Sequence, residues 1–296
     1  MNEEKIAVID IGGTNIKFAV IGAQDRAEVQ QFDTPKQKDE LLNSIKGALE
    51  KSLIEKIKNV VLGIPGLVDY DQNKVIFCPN LKELKDQDLK DLFKEKGLNA
   101  YFANDADLFL YGATNGNFAI NTLALTIGTG LGGSFCLGGA APDQMGLAGE
   151  IGHMKIVANG RECGCGQKGC AEAYVSATAL IKQAQKEIST DVTKAYEVFD
   201  LARQGNEKAL FIIEEMAKSL GLVIANMINV CAVEKIIIGG GIAKSSGAFI
   251  QTVKDNAIEN TYCAQERKID IFAQEDFEET VARGAKIFFQ RNYDRT

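Results

Sequence analysis

KIAVIDIGGTNIKFAVI, residues 5–21, consists of two β-rich runs, KIAVIDI (5–11) and IKFAVI (16–21), parted by Gly12-Gly13-Thr14. Apolar, β-branched runs flanking a glycine turn signal a hairpin. Outward from it the pattern alternates. A third strand is expected over 27–33. Leu41, Leu42, Ile45, Leu49, Leu53, Ile54 and Ile57 recur at helical spacing, which predicts an amphipathic helix over 37–57. Val60 to Ile64 reads as a buried strand ending at Pro65-Gly66. A short helix (87–96), a strand (99–103) and a helix (106–113) complete the round.

The plan then restarts. NTLALTI (121–127) and SFCL (134–137) flank a second glycine turn. Helices are expected at 176–188, 194–204 and 207–230, then strand 235–238, helix 246–259, strand 268–272 and helix 278–290. Two rounds of a hairpin followed by alternating elements predict an α/β fold of two related lobes with a cleft between them. The expected division is 1–117 and 118–277, with a last helix at about 278–296 packing back on the first lobe. A chain of 296 residues is long enough for two cores.

Hydrophobic residues make up 46% and charged residues 25%, ordinary values for a chain that buries a core. The net charge of −7 argues against a nucleic-acid partner or an anionic membrane. No apolar stretch approaches the ~18 residues of a membrane helix, and the N-terminus does not read as a signal peptide. Seven cysteines without an export signal point to a reducing compartment, so the expected location is the cytoplasm.

Three glycine turns invite phosphate, because glycine lets an anion approach backbone N–H groups with no Cβ in the way. In the first, Asp10 stands where a carboxylate holds Mg²⁺ through water, and Gly12, Gly13 and Thr14 supply donors. A plain tight hairpin with a solvated acid at its strand end is the competing reading. Gly128-Thr129-Gly130-Leu131-Gly132-Gly133 matches G-x-G-x-x-G, but strand-like Ser134-Phe135-Cys136-Leu137 follows where a dinucleotide fold needs a helix. A second phosphate-cradling hairpin fits better, with Thr129 as donor. The third turn, Gly239-Gly240-Gly241 after Ile236-Ile237-Ile238, would admit a nucleotide's ribose or adenine, or is only a strand-to-helix turn. No Gly-Lys-Ser/Thr occurs, which excludes a P-loop.

Cys163, Cys165 and Cys170 stand in C-x-C-x₄-C spacing among glycines, and His153, the only histidine, lies ten residues upstream. A Cys₃His set fills the tetrahedral shell of structural Zn²⁺ and leaves no position open for water. Free thiols or an iron–sulfur cluster are the competing readings. Cys78, Cys136, Cys231 and Cys263 stand apart as packing residues. Glu150 lies three residues before one ligand and Glu172 two after another, so one ion would fix two carboxylates suited to sugar hydroxyls. Surface acids on a metal loop are the bland alternative. Asn104-Asp105-Ala106 opens a helix, where Asp105 would be held ionised by the dipole and ready to accept a proton. Asn104 could orient the same acceptor.

Taken together, D-I-G-G-T, N-D-A, L-T-I-G-T-G, G-E-I-G-H, C-x-C-G-x-x-G-C-x-E and I-I-G-G-G resemble the ROK family of bacterial sugar kinases and repressors, in order from residue 6 to about 243. The resemblance implies a two-lobed, actin-like (ribonuclease H-like) ATPase fold with a central cleft and a zinc loop, usually dimeric, acting on a hexose with Mg-ATP. It makes Asp105 the general base and assigns Gly66, Asn80, Asn104, Glu150, His153 and Glu172 to the sugar, His153 serving metal and sugar through its two ring nitrogens. Asp10, Gly12, Gly13, Thr14, Lys17, Gly128, Thr129, Gly130, Gly239, Gly240 and Gly241 form the expected nucleotide side. The expected reaction is transfer of the γ-phosphoryl of ATP to the 6-hydroxyl of glucose, with N-acetylmannosamine or N-acetylglucosamine as alternative acceptors. Lys82 and Glu83 after Asn-Leu, and Asp107, Leu108 and Phe109 after N-D-A, depart from the family pattern around the sugar. A sugar-sensing repressor would carry a winged helix ahead of Asp10, and the expectation is that none precedes it. A nicotinamide oxidoreductase built on Gly128–Gly133 is the remaining rival.

Overall fold

The computed structural model describes residues 5–22, 27–35, 37–54, 56–78, 86–145 and 147–294. The chain forms two compact units, one of Met1–Asn117, Pro142–Leu147 and Asp276–Thr296, the other of Phe118–Ala141 and Ala148–Glu275.

In the first unit, β1 (Ile6–Ile11) and β2 (Asn15–Ile21) form the hairpin, Ile6 opposite Ile21 and Ile11 opposite Ile16. β3 (Gln30–Asp33) extends it on one side. On the other, β4 (Asn59–Ile64) and β7 (Asn99–Asn104) run parallel to β1, giving the order β3-β2-β1-β4-β7. Every residue of β4 is buried, as expected of a parallel central strand with both faces covered. Ile9, Ile11, Ile16, Leu62 and Phe102 join it in one core with Leu41, Ile45 and Leu49 of α1 (Lys38–Ile54), each such side chain contributing roughly 1.5–3 kcal/mol on burial. α2 (Asp86–Glu95) precedes β7. α3 (Asp105–Ala113) follows it and packs on α8 (Phe277–Asn292), with Phe109 on Phe277 at 4.9 Å between ring centroids and Tyr111 on Phe288 at 5.7 Å.

The second unit repeats the plan. β8 (Thr122–Ile127) and β9 (Leu131–Cys136) form its hairpin, and β10 (Lys235–Gly239) and β11 (Asp270–Ala273) run parallel to β8, in the order β11-β10-β8-β9. α4 (Ala177–Glu187), α5 (Ala195–Arg203), α6 (Glu207–Cys231) and α7 (Gly247–Glu259) surround a core containing Leu125, Ile127, Leu220, Val223, Ile236 and Ile238.

Five expectations are corrected. The second glycine turn spans only 128–130, because Leu131, Gly132 and Gly133 pair with Ile127, Thr126 and Leu125 as part of β9. The first helix ends at Ile54 rather than 57, since Lys56 takes a left-handed φ of 59° and Ile57 plugs the core outside the helix. β3 begins at Gln30 rather than 27, and β11 at Asp270 rather than 268. A small hairpin, β5 (Leu67–Asp69) and β6 (Lys74–Phe77), stands where no element is expected.

Candidate functional site

Parallel pairing brings the carboxyl ends of β1, β4 and β7 together: Asp10 lies opposite Gly63, and Ile64 opposite Asn104. Loops at this end of parallel strands are where α/β proteins bind ligands. Asp10 closes β1 just before the first glycine turn, which Thr34 pins by donating its hydroxyl to Gly12 O at 2.7 Å and its amide to Thr14 O at 2.8 Å. Burial raises the Asp10 carboxyl above the usual range; Lys17 opposes that shift and Glu278 adds to it. A half-buried carboxylate beside a glycine turn is a fit donor for a hard cation. Lys17, beside it on β2, sets its ammonium 3.4 Å from Glu278 and over the Phe277 ring.

Asn104 ends β7 and caps α3, its Oδ1 accepting from the amides of Ala106 (2.9 Å) and Asp107 (3.1 Å). Its Nδ2 donates to Gly66 O at 2.9 Å, which joins two of the expected sugar residues directly. Asp105 is the first helical residue, and its Oδ1 accepts from the Ala106 amide at 2.9 Å. The β5–β6 hairpin contributes Tyr70, whose hydroxyl accepts the Asn104 amide at 3.0 Å and donates to Asp107. Asp107, a departure from the family pattern, thus has a structural role. Burial, then Asp107, holds the Tyr70 phenol far above its ordinary range, so it stays a donor. Tyr70 is not singled out by any motif, and only the unexpected hairpin brings it to Asp107. Asn80, with Lys82 and Glu83, lies outside the described residues.

In the second unit, His153, Cys163, Cys165 and Cys170 present donor atoms all within 4.8 Å of one another. Cys165 and Cys170 are 3.7 Å apart at sulfur, and Cys163 Sγ lies 3.8 Å from His153 Nδ1. The S···S edge of a zinc tetrahedron, with Zn–S near 2.3 Å, is about 3.8 Å, so the donor set fits Zn²⁺. None of the seven cysteines forms a disulfide. Lys155 Nζ donates to Cys170 Sγ at 2.8 Å, which ties a neighbouring loop to the cluster. The nitrogen of His153 turned from the thiols, Nε2, lies 3.9 Å from Glu150 Oε2. Glu172 Oε1 lies 3.5 Å from Cys163 Sγ, and its Oε2 accepts the Leu131 amide at 3.1 Å. Both glutamates therefore sit against the cluster, Glu150 at His153 and Glu172 at Cys163.

The Gly128–Gly130 turn and Gly240 meet at the carboxyl ends of β8 and β10, where Gly239 pairs with Thr126. Gly240 has φ of 95°, and a Cβ there would come within 2.4 Å of Ile127 O, so only glycine brings the two turns this close. β9 follows the 128–130 turn as an antiparallel strand, which rules out a dinucleotide-binding βαβ unit at this motif.

No described helix is long and apolar enough to cross a membrane. A family model described as the ROK family matches residues 6–292. Over 285 residues the chain is 30% identical to a glucokinase of Halalkalibacterium halodurans, covering 86% of each chain. Over 247 residues it is 30% identical to an N-acetylmannosamine kinase of Haemophilus influenzae, covering 81% of each. Among solved structures, a ROK family glucokinase from Streptomyces griseus in complex with glucose and AMPPNP aligns with a TM-score of 0.85 at 24% identity, over 96% of this chain and 98% of that one. That likeness establishes the α/β fold expected from the two hairpins.

Proposed function

The chain belongs to the ROK family, and on that premise we propose that it transfers the γ-phosphoryl of ATP to the 6-hydroxyl of glucose, giving glucose 6-phosphate and ADP. The observation that carries this reading is the Cys₃His cluster with Glu150 beside His153 and Glu172 beside Cys163. Such a cluster holds zinc as a staple for two carboxylates, and carboxylates are strong acceptors for sugar hydroxyls.

Each residue then has a role. Glu150, Glu172, His153 through Nε2, Asn104 and Gly66 bind and orient the sugar, as does Asn80 by the family resemblance. Asp105 accepts the proton of the 6-hydroxyl as the new O–P bond forms and the bond from the γ-phosphorus to the bridging oxygen of ADP breaks. A loose transition state calls on this base late, so an ordinary carboxylate suffices. The dipole of α3 favours its ionised form. Amides of the Gly12–Thr14 and Gly128–Gly130 turns hold phosphate oxygens, Gly239–Gly241 receive the nucleoside, and Lys17 offsets part of the charge at Asp10. Mg²⁺, when bound near Asp10, neutralises charge on the phosphates. The protein works as a homodimer, as the family resemblance implies, and in the cytoplasm, as its cysteine usage implies.

A coupled ADP-release assay across glucose, N-acetylmannosamine, N-acetylglucosamine and fructose tests the assignment, with glucose expected to give the highest kcat/KM. The N-acetylmannosamine kinase relative, equal in identity to the glucokinase, makes an N-acetylhexosamine the second reading. Turnover of that sugar above glucose would replace the first. Asp105→Asn is expected to cut kcat by ~10²–10⁴ with sugar affinity largely kept; near-normal turnover would remove it as base.

A further inference from the structure

The peptide groups of the 128–130 turn are held from one side. Gly128 O accepts the amide of Ala177 at 2.9 Å, and Thr129 O accepts the hydroxyl of Thr178 at 2.7 Å. Both donors lie in the first turn of α4, which Ser176 caps through its hydroxyl on the Ala179 amide. Glu172, a few residues upstream, takes the Leu131 amide at the far end of the turn. A trans peptide is planar, with its C=O and N–H pointing in opposite directions. Anchoring Gly128 O and Thr129 O on α4 therefore aims the N–H groups of Thr129 and Gly130 away from the helix, side by side. Two successive amides aimed the same way make an anion-binding concavity.

We propose that Thr178 is a positioning residue for the phosphoryl donor: by fixing the Thr129 carbonyl, its hydroxyl sets the direction of the Gly130 amide that grips a phosphate of the nucleotide. The inference rests on the reading of this turn as a phosphate cradle. Thr178 is exposed and lies 49 residues from its acceptor in sequence, so neither core packing nor helix formation calls for this bond. No motif includes it, because a threonine at the second position of a helix is unremarkable in sequence. The neighbouring clip, from Ala177, is made by backbone and survives any side-chain change, so Thr178 is the part of the anchor that substitution can remove alone.

The experiment compares wild type, Thr178→Val and Thr178→Ser by calorimetric titration with Mg-AMPPNP in the absence of sugar, then by steady-state kinetics with zinc content measured in parallel. Valine keeps the shape and loses the hydroxyl; serine restores it. Thr178→Val is expected to weaken AMPPNP binding about fivefold, the scale of one hydrogen bond, and to raise KM for ATP in step. KM for the sugar and zinc content should stay at wild-type values, and Thr178→Ser should recover most of the nucleotide affinity. Unchanged AMPPNP binding in Thr178→Val, equal losses for sugar and nucleotide, or a serine variant as weak as the valine one would overturn the inference while leaving the kinase reading intact. A wild-type protein that binds no AMPPNP would overturn both.

Discussion

Gly130 and Glu172 are in contact across the turn: a Cβ added at residue 130 would lie 2.4 Å from Glu172 Oε2, the oxygen that accepts the Leu131 amide. A glycine of the phosphate turn thereby leaves room for a carboxylate of the proposed sugar site. Gly130→Ala forces that carboxylate off its amide. Hydrogen bonds to charged groups are worth about 1.5–3 kcal/mol, so KM for glucose should rise by about tenfold or more. KM for ATP should rise with it, because the turn loses an anchor. Steady-state kinetics with each substrate varied will read both, and a change in only one would deny the coupling.

Removing the metal should be felt on both sides as well. Cys165 is the exposed ligand, so Cys165→Ser takes away a thiolate without leaving a core cavity. Zinc content should fall, and Tm should drop by several degrees. Sugar affinity should fall by ~10–100-fold, the scale at which metal-site support is usually felt. The weakening should extend to AMPPNP, since Glu172 and the start of α4 follow closely on Cys170 in the chain. Metal analysis, calorimetry and a titration with each ligand check the three parts separately.

Tyr70 ties Asn104 to Asp107 on either side of the proposed base. Tyr70→Phe keeps the ring packed edge-on against Phe288, 5.7 Å between centroids, and removes only the hydroxyl. Two polar groups then lose a buried partner, at about 1–3 kcal/mol. The expected result is a kcat about tenfold lower with KM for ATP unchanged. A kinetic profile equal to wild type would leave the phenol with packing alone.

How far the sequence discloses this site varies with the range of the interaction involved. The hairpins at 5–21 and 121–137 are legible because local alternation and glycine turns are short-range signals. The Cys₃His cluster is legible for a similar reason: His153, Cys163, Cys165 and Cys170 crowd one segment, and their chemistry admits few uses. The β5–β6 hairpin is not, because its strands of three and four residues carry too little alternation to separate from a loop. With it goes Tyr70, whose partners lie 34 and 37 residues away. Thr178 escapes similarly, since helix propensity and capping account for every residue around it without reference to a turn 49 residues upstream. The end of the second glycine turn is misjudged because Gly132 and Gly133 read as turn residues locally, while the ladder to β8 recruits them as strand.

Asp10 should cost the ligand-free protein stability in a pH window that its shift defines. Burial raises its folded pKa above the ordinary carboxylate value near 3.9, so the folded state favours the protonated form. Below the unfolded pKa the group is neutral in both states and the full contribution to stability is present. As pH rises through the raised folded pKa, that contribution is lost, and at neutral pH the fold carries an ionised carboxylate that burial disfavours. Asp10→Asn has the same shape and no charge. Compared at each pH, its Tm should match wild type near pH 3, exceed it increasingly as pH climbs through the shifted pKa, and then hold a constant margin. Mg²⁺ with nucleotide should raise the Tm of wild type more than that of the variant, because a cation bound near Asp10 offsets the penalty that asparagine never incurs. The same substitution should lower kcat by ~10²-fold or more, the scale of losing one preorganised electrostatic group. Thermal melts of both proteins from pH 3 to 8, with and without Mg-AMPPNP, read the sign directly: a variant less stable than wild type at neutral pH would mean that Lys17, and not burial, governs Asp10.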